Sequence, residues 1–210
     1  MAMQQKFSPN AGIAIGPILF VLALLGVLAA VMASGGGGFQ TAGSEDRITN
    51  DVVAQANLIR NTINECNLQY KMAVSTGSVN PPASNDYYPT SDTSTGTIVR
   101  NITCTPMGGT PMWVDKLLPP PTSGFNEWTY IDAWSATPSD DHGRCFWTTP
   151  TSGSTPTVVD GLTRAATKFN SSTAFSATSE VIYDPSSTSQ KFVVWITLPA
   201  SGTPDSHCVP

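Results

Sequence analysis

Residues 13–32 carry neither a charged nor a hydrogen-bonding side chain, residues 44–74 repeat apolar positions at steps of three and four, and the chain beyond 79 breaks into short apolar islands. The first pattern predicts a helix in lipid. At 1.5 Å of rise per residue, its twenty residues cover about 30 Å, the thickness of a bilayer's hydrocarbon core. Leu19, Phe20, Val21, Leu22, Leu24, Leu25, Val27 and Leu28 occupy every side of such a helix. Its natural surroundings are therefore lipid or copies of itself, rather than the one-sided core of a soluble domain.

The segment 34–43 reads SGGGGFQTAG. Each of Gly35, Gly36, Gly37 and Gly38 costs about 1 kcal/mol relative to Ala within a helix, so a break or hinge is expected there. It is not a phosphate-binding loop, because no Gly-Lys-Ser/Thr follows. A second helix is predicted over 44–74, with Ser44 as its cap and Glu45 and Asp46 in its first turn, where the helix dipole favours negative charge. Ile48, Val52, Ala56, Ile59, Ile63, Cys66 and Tyr70 form one apolar stripe. Arg47, Asn50, Asp51, Gln55, Asn57, Arg60, Asn61 and Asn64 fill the other side, which is rich in Asn and poor in paired charge. That pattern suits a helix lying on a globular head better than a coiled coil. Residues 75–77 end the helix, and Pro81 and Pro82 prevent a restart.

Beyond 79 the chain is rich in Ser, Thr, Pro and Gly. Strands are predicted at 97–104, 127–134, 144–149, 181–183 and 191–198, the last (KFVVWITL) having the Val, Trp and Ile content of a buried strand. Asp184, Pro185, Ser186 and Ser187 form a turn that would join the last two into a hairpin. A short helix at 160–169 would place Leu162, Ala165, Ala166 and Phe169 on one side. The expected fold is α+β: a long N-terminal hydrophobic helix with a Gly-rich break, then an amphipathic helix packed on an antiparallel β-sheet head. The expected divisions are a leader at 1–12, a transmembrane or filament-core helix at 13–33, a hinge at 34–43 and an exported head at 44–210.

Lys6 is the charge before the apolar run, whereas Glu45 and Asp46 follow it, which orients the span N-in and C-out. Cut after Gly12, the new end at Ile13 reads IAIGPILFVLALLGVLAAV, which resembles the N-terminal segment of type IV pilins and of the pseudopilins of type II secretion. The likeness rests on Gly12, Ala23, Gly26 and the run Val27, Leu28, Ala29, Ala30. Residues 117–132, LLPPPTSGFNEWTYID, resemble the Pro-rich loop that leads into a strand in pseudopilin heads. The resemblance implies removal of the leader by a prepilin peptidase, insertion in a bacterial inner membrane, and transfer through an assembly platform into a filament of pilin-like subunits. Gly16, Ala23, Gly26, Ala29 and Ala30 would let helix backbones approach closely. Pro17 stands where the family carries a Glu that neutralises a neighbour's amino terminus. Proline is tolerated in a first helical turn, but the docking salt bridge is lost, which favours a minor or tip subunit, or a divergent branch. Two other organisations follow from the same residues: a binding module on a single-pass anchor, and ordinary secretion with cleavage before Ser34.

About 165 residues follow the Gly-rich segment, enough for one domain with a core. Charged residues make up 12% and the net charge is −5, which excludes nucleic-acid binding through a broad basic surface. Cys66, Cys104, Cys145 and Cys208 all fall in the exported part, where an even count suggests two disulfides. Three pairings are possible. The expected one joins Cys66 to Cys104, pinning the helix end to the first strand, and Cys145 to Cys208, pinning the C-terminal tail. Their spacings are too wide for a zinc site.

Signatures of catalysis are lacking. Asp140, Asp141 and His142 lie together between Pro138 and Gly143, a pattern that more often marks a solvated turn than a metal or proton relay. His207 beside Cys208 could activate a thiolate, which a disulfide would remove. No G-x-S-x-G, H-E-x-x-H or Walker pattern occurs, so no catalytic residue, metal or cofactor is expected. Trp113, Phe125, Trp128, Tyr130, Trp134, Phe146, Trp147 and Trp195 are read chiefly as core. Tyr87 and Tyr88, in a Pro- and Ser-rich loop, are expected to be exposed. Asn101 and Asn170 begin glycosylation sequons by pattern alone.

Overall fold

The computed structural model describes residues 43–82, 86–104, 111–113, 118, 121–151, 155–169 and 171–210, and the backbone alone of 15–42 and 110. The chain divides into two compact units, Met1–Gly43 and Ser44–Pro210. Among the described residues no helix is long and apolar enough to cross a membrane. The predicted span at 13–33, with Gly16, Pro17, Ala23, Gly26, Ala29 and Ala30, and the cleavage pair Gly12 and Ile13, lie outside the residues whose side chains are described.

Helix α1 is Ile15–Ser75. The break expected at Gly35, Gly36, Gly37 and Gly38 is absent from its backbone, and Ser44 lies inside the helix instead of capping a new one. Glycine's helix penalty is entropic and local, and its amide still makes the ordinary i→i−4 bond. A helix that is favoured on both sides can therefore run through it. At the other end Gly77 adopts φ +73°. Its N–H bonds to the carbonyl of Val74 and that of Ser78 to Ala73, which satisfies two of the last carbonyls.

The second unit is α+β with an antiparallel sheet. Strands β1 (Thr97–Ile98), β2 (Thr103–Cys104), β3 (Thr110–Pro111), β4 (Thr129–Asp132) and β5 (Arg144–Thr148) precede helix α2 (Pro156–Lys168), and β6 (Val181–Tyr183) and β7 (Phe192–Thr197) follow it. Five strands form one antiparallel sheet in the order β1-β4-β5-β7-β6, and β2 pairs with β3. The expected β6–β7 hairpin is present, and its turn is held by the Asp184 carboxylate, which accepts from the Ser186 N–H at 2.9 Å. The strand expected over 97–104 is instead split by a 3-10 turn, Val99–Asn101. Val99 turns inward, donating its N–H to the Trp128 carbonyl at 2.8 Å and accepting from the Trp113 indole at 2.7 Å, so neither group serves a ladder. Helix α2 begins earlier than expected because Thr155 caps it and Pro156 takes the first turn.

Sheet register explains the two cores. Tyr130, Phe146, Val194 and Val181 are cross-strand neighbours in one row and pack against Val52, Ala56, Ile59 and Ile63 of α1 and Leu162 and Ala165 of α2. The next row, Ile131, Cys145 and Trp195, faces the other way and meets Ile182, Val193 and Cys208. The apolar stripe of α1 is buried from Val52 to Tyr70, with Ile48 partly covered. Gln55, expected on the polar side, is buried, and its side-chain oxygen accepts from the Trp128 indole at 2.7 Å. The helices approach closely at Gly161, where a Cβ would lie 2.7 Å from Ile48 Cγ2.

Both cysteine pairs have the expected partners. Cys66 is bonded to Cys104 and Cys145 to Cys208, each with Cα atoms 5.9 Å apart. Each closed loop adds about 2–4 kcal/mol.

Candidate functional site

Arg144 opens β5 with a side chain only 2% exposed. Gly143 before it takes φ +79°, and a register shift falls between Arg144 and Cys145, the kind of local bend that re-aims a side chain at the end of a strand. The guanidinium meets two carboxylates: Asp132, its cross-strand partner on β4, through Nε at 2.8 Å, and Asp86 through Nη2 at 2.5 Å. Its planar group also stands over the rings of Tyr88, 4.4 Å from the centroid, and Trp134, 5.0 Å away. Asp86 accepts from the Tyr88 N–H at 3.1 Å. The Tyr130 hydroxyl donates to the Pro89 carbonyl at 3.0 Å, and the Asp132 N–H donates to Ser91 Oγ at 2.7 Å. Loop 86–91 is thus held to the sheet by one cation and the groups around it.

Two carboxylates share that cation, and both are largely buried. Loss of hydration pushes the Asp132 carboxyl up to about 6; Arg144 opposes the shift and Asp86 adds to it. Burial likewise raises the Tyr88 and Tyr130 hydroxyls, so both remain protonated donors. Because the folded protein holds the Asp132 proton more tightly than the unfolded chain, stability is greater below the ordinary carboxyl range and falls as pH rises through about 6. Urea denaturation is expected to show a head on the order of 1–2 kcal/mol more stable at pH 5 than at pH 7. Asp132→Asn should remove most of that difference; an equal difference in the variant would assign it elsewhere.

Beside this cluster lies a cleft of about 410 Å³. Asn67 and Lys71 of α1 form one wall, Tyr87 and Tyr88 another, and Trp134, Asp141 and Arg144 the floor and far side. Lys71 Nζ sits 5.7 Å from the Tyr87 ring centroid, and that ring meets Tyr70 edge-on at 5.0 Å. Tyr87 and Tyr88, expected to be exposed, are both half-buried because their rings cover Tyr70 and Arg144.

The residues singled out earlier for chemistry do not converge. The Asp141 carboxylate accepts from the N–H groups of Gly143 at 2.9 Å and Ala200 at 3.0 Å, and His142 Nδ1 lies 2.8 Å from the Thr203 carbonyl oxygen. Both anchor the loop after β7. His207 pairs with Asp205 at 2.8 Å and stacks on Trp147, while Cys208 is in a disulfide and offers no thiolate. Among the described residues no group of three or more His, Cys, Asp or Glu side chains could hold a metal ion. Asn101 is exposed; Asn170 lies outside the described residues.

Arg144, Asp132, Asp86, Asn67 and Lys71 were not singled out by sequence reasoning. A signal did exist for the first pair: a lone Arg at the head of the apolar strand RCFWT and an Asp closing the preceding strand TYID are charges placed where neighbours are buried. Compared with protein-family models, curated proteins and solved structures, the chain has no match.

Proposed function

We propose that the chain is a pilin-like structural subunit of a type IV pilus or type II secretion-type filament. It assembles through its N-terminal apolar helix with other pilin-like subunits, after a prepilin peptidase has cut between Gly12 and Ile13. Before assembly it lies in a bacterial inner membrane, N-in and C-out, in contact with the assembly platform; afterwards the head is periplasmic or extracellular. The observation that carries this reading is the uncharged run of twenty residues, 13–32, with small residues at Gly16, Ala23, Gly26, Ala29 and Ala30. It is supported by the head, where the end of α1 lays an apolar stripe on an antiparallel sheet and a disulfide ties that helix to β2. Two disulfides fit a domain matured outside the cytoplasm.

Lipid is as apolar as the helix, so assembly gains little from burial itself and depends on close backbone packing at the small residues. Gly26→Leu would disturb such a face without lowering the hydrophobicity that inserts the helix. A loss of about 1 kcal/mol at one helix contact corresponds to roughly fivefold less subunit in the filament. Immunoblots of sheared filaments against membranes should show that decrease with normal membrane levels. Wild-type incorporation of the variant would contradict packing through this face.

A further inference from the structure

Asn67 is 4% exposed and lines the cleft, yet its side-chain amide has no hydrogen-bond partner among the described residues. The residue is largely enclosed, but its amide atoms are not among the fully buried ones without a partner, so they meet solvent at the cleft, where a ligand hydroxyl would take the place of water. We propose that the cleft beside α1 is a binding site for a neutral saccharide, with Asn67 as its central polar contact.

The charge pattern selects the ligand class. The Arg144 guanidinium is engaged by Asp86 and Asp132, and the Asp141 carboxylate by two backbone N–H groups. The charges that line the cleft balance, the Asp86 and Asp141 carboxylates against the Arg144 and Lys71 cations, so a charged ligand gains no net attraction there. An apolar ligand would strip water from the Asn67 amide and leave it unpaired. What faces a guest is an amide that both donates and accepts, the Lys71 ammonium, and the aromatic rings of Tyr87, Tyr88 and Trp134. A sugar ring presents the matching surface, with hydroxyls around its rim and C–H groups on its faces. The volume of about 410 Å³ suits roughly one or two hexose rings. The cleft lies wholly within the unit Ser44–Pro210, so binding does not require assembly, and loss of binding would leave the filament reading intact.

The test is a titration of the full-length protein in a zwitterionic, sugar-free detergent, followed by tryptophan fluorescence and calorimetry. The probes are maltotriose, cellotriose, lactose and tri-N-acetylchitotriose, with trigalacturonate as the charged control. At least one neutral probe should bind saturably, with a Kd of about 1 mM or tighter, and trigalacturonate should bind more weakly. Asn67→Leu should weaken binding at least about tenfold while its melting temperature stays equal or rises. Lys71→Ala, at an exposed side chain, should weaken binding about threefold. The assignment is overturned if no neutral probe saturates by about 20 mM, if the charged control binds best, or if both variants bind like the wild type. A lowered melting temperature for Asn67→Leu would show that the amide holds the fold, and would overturn it as well.

Discussion

Arg144→Ala is expected to destabilise the head by about 3–5 kcal/mol, a large share of the 5–15 kcal/mol that holds a typical domain together. The Arg144 side chain is 2% exposed, and it is the cation within 3 Å of both Asp86 and Asp132, whose side chains are 12% and 9% exposed. Removing it leaves two carboxylates with little water and without the cation that they share. Loop 86–91 also loses the group that anchors it, along with the stacking on Tyr88 and Trp134. Denaturant titrations at pH 7 would measure the loss, and a change below about 1 kcal/mol would mean that the pair contributes no more than a surface ion pair. Removing the whole network should be milder. In Arg144→Met with Asp86→Asn and Asp132→Asn no charge of this network is left, and such replacements are often close to neutral.

Gly143→Ala should cost about 3 kcal/mol or more. Two effects coincide there. The residue has φ +79°, and an added Cβ would lie 2.7 Å from the Thr197 carbonyl oxygen and 2.8 Å from the Pro199 nitrogen, backbone atoms that cannot rotate away. At the usual sensitivity of a domain this size, the melting temperature falls by about 6–12 °C. Gly124→Ala is the control, since that glycine has φ +91° but open space around its Cα. It should show the backbone strain alone, on the order of 1 kcal/mol. Equal melting temperatures for the two variants would remove the steric half of the explanation.

Features that rest on repeating local patterns were legible in the chain. The stripe from Val52 to Tyr70, the apolar runs that become β5 and β7, and the Asp184 turn each need only their own neighbours to be recognised. The even cysteine count made two disulfides legible, but three pairings stayed open until the fold brought Cys66 to Cys104 and Cys145 to Cys208. Features decided by a distant partner were not legible. Gln55 reads as surface until the Trp128 indole gives it a buried role. Val99 reads as mid-strand until its backbone groups are claimed by Trp128 and Trp113. The Gly-rich segment was read from propensity, which weighs residues one at a time, while a helix gains from its length. The cleft was hidden for the same reason: Asn67, Tyr87 and Arg144 are far apart in the chain, and the disulfide, the sheet register and loop 86–91 bring them together.

In the proposed filament reading, the leader is removed before assembly. The most direct test is the intact mass, with N-terminal peptide sequencing, of the protein recovered from its own cells. Assembly through the apolar helix predicts a chain that begins at Ile13, lacking residues 1–12, in both membrane and filament fractions. A chain that still begins at Met1 or Ala2 would contradict it in favour of a fixed anchor, and one that begins at Ser34 would contradict it in favour of ordinary secretion.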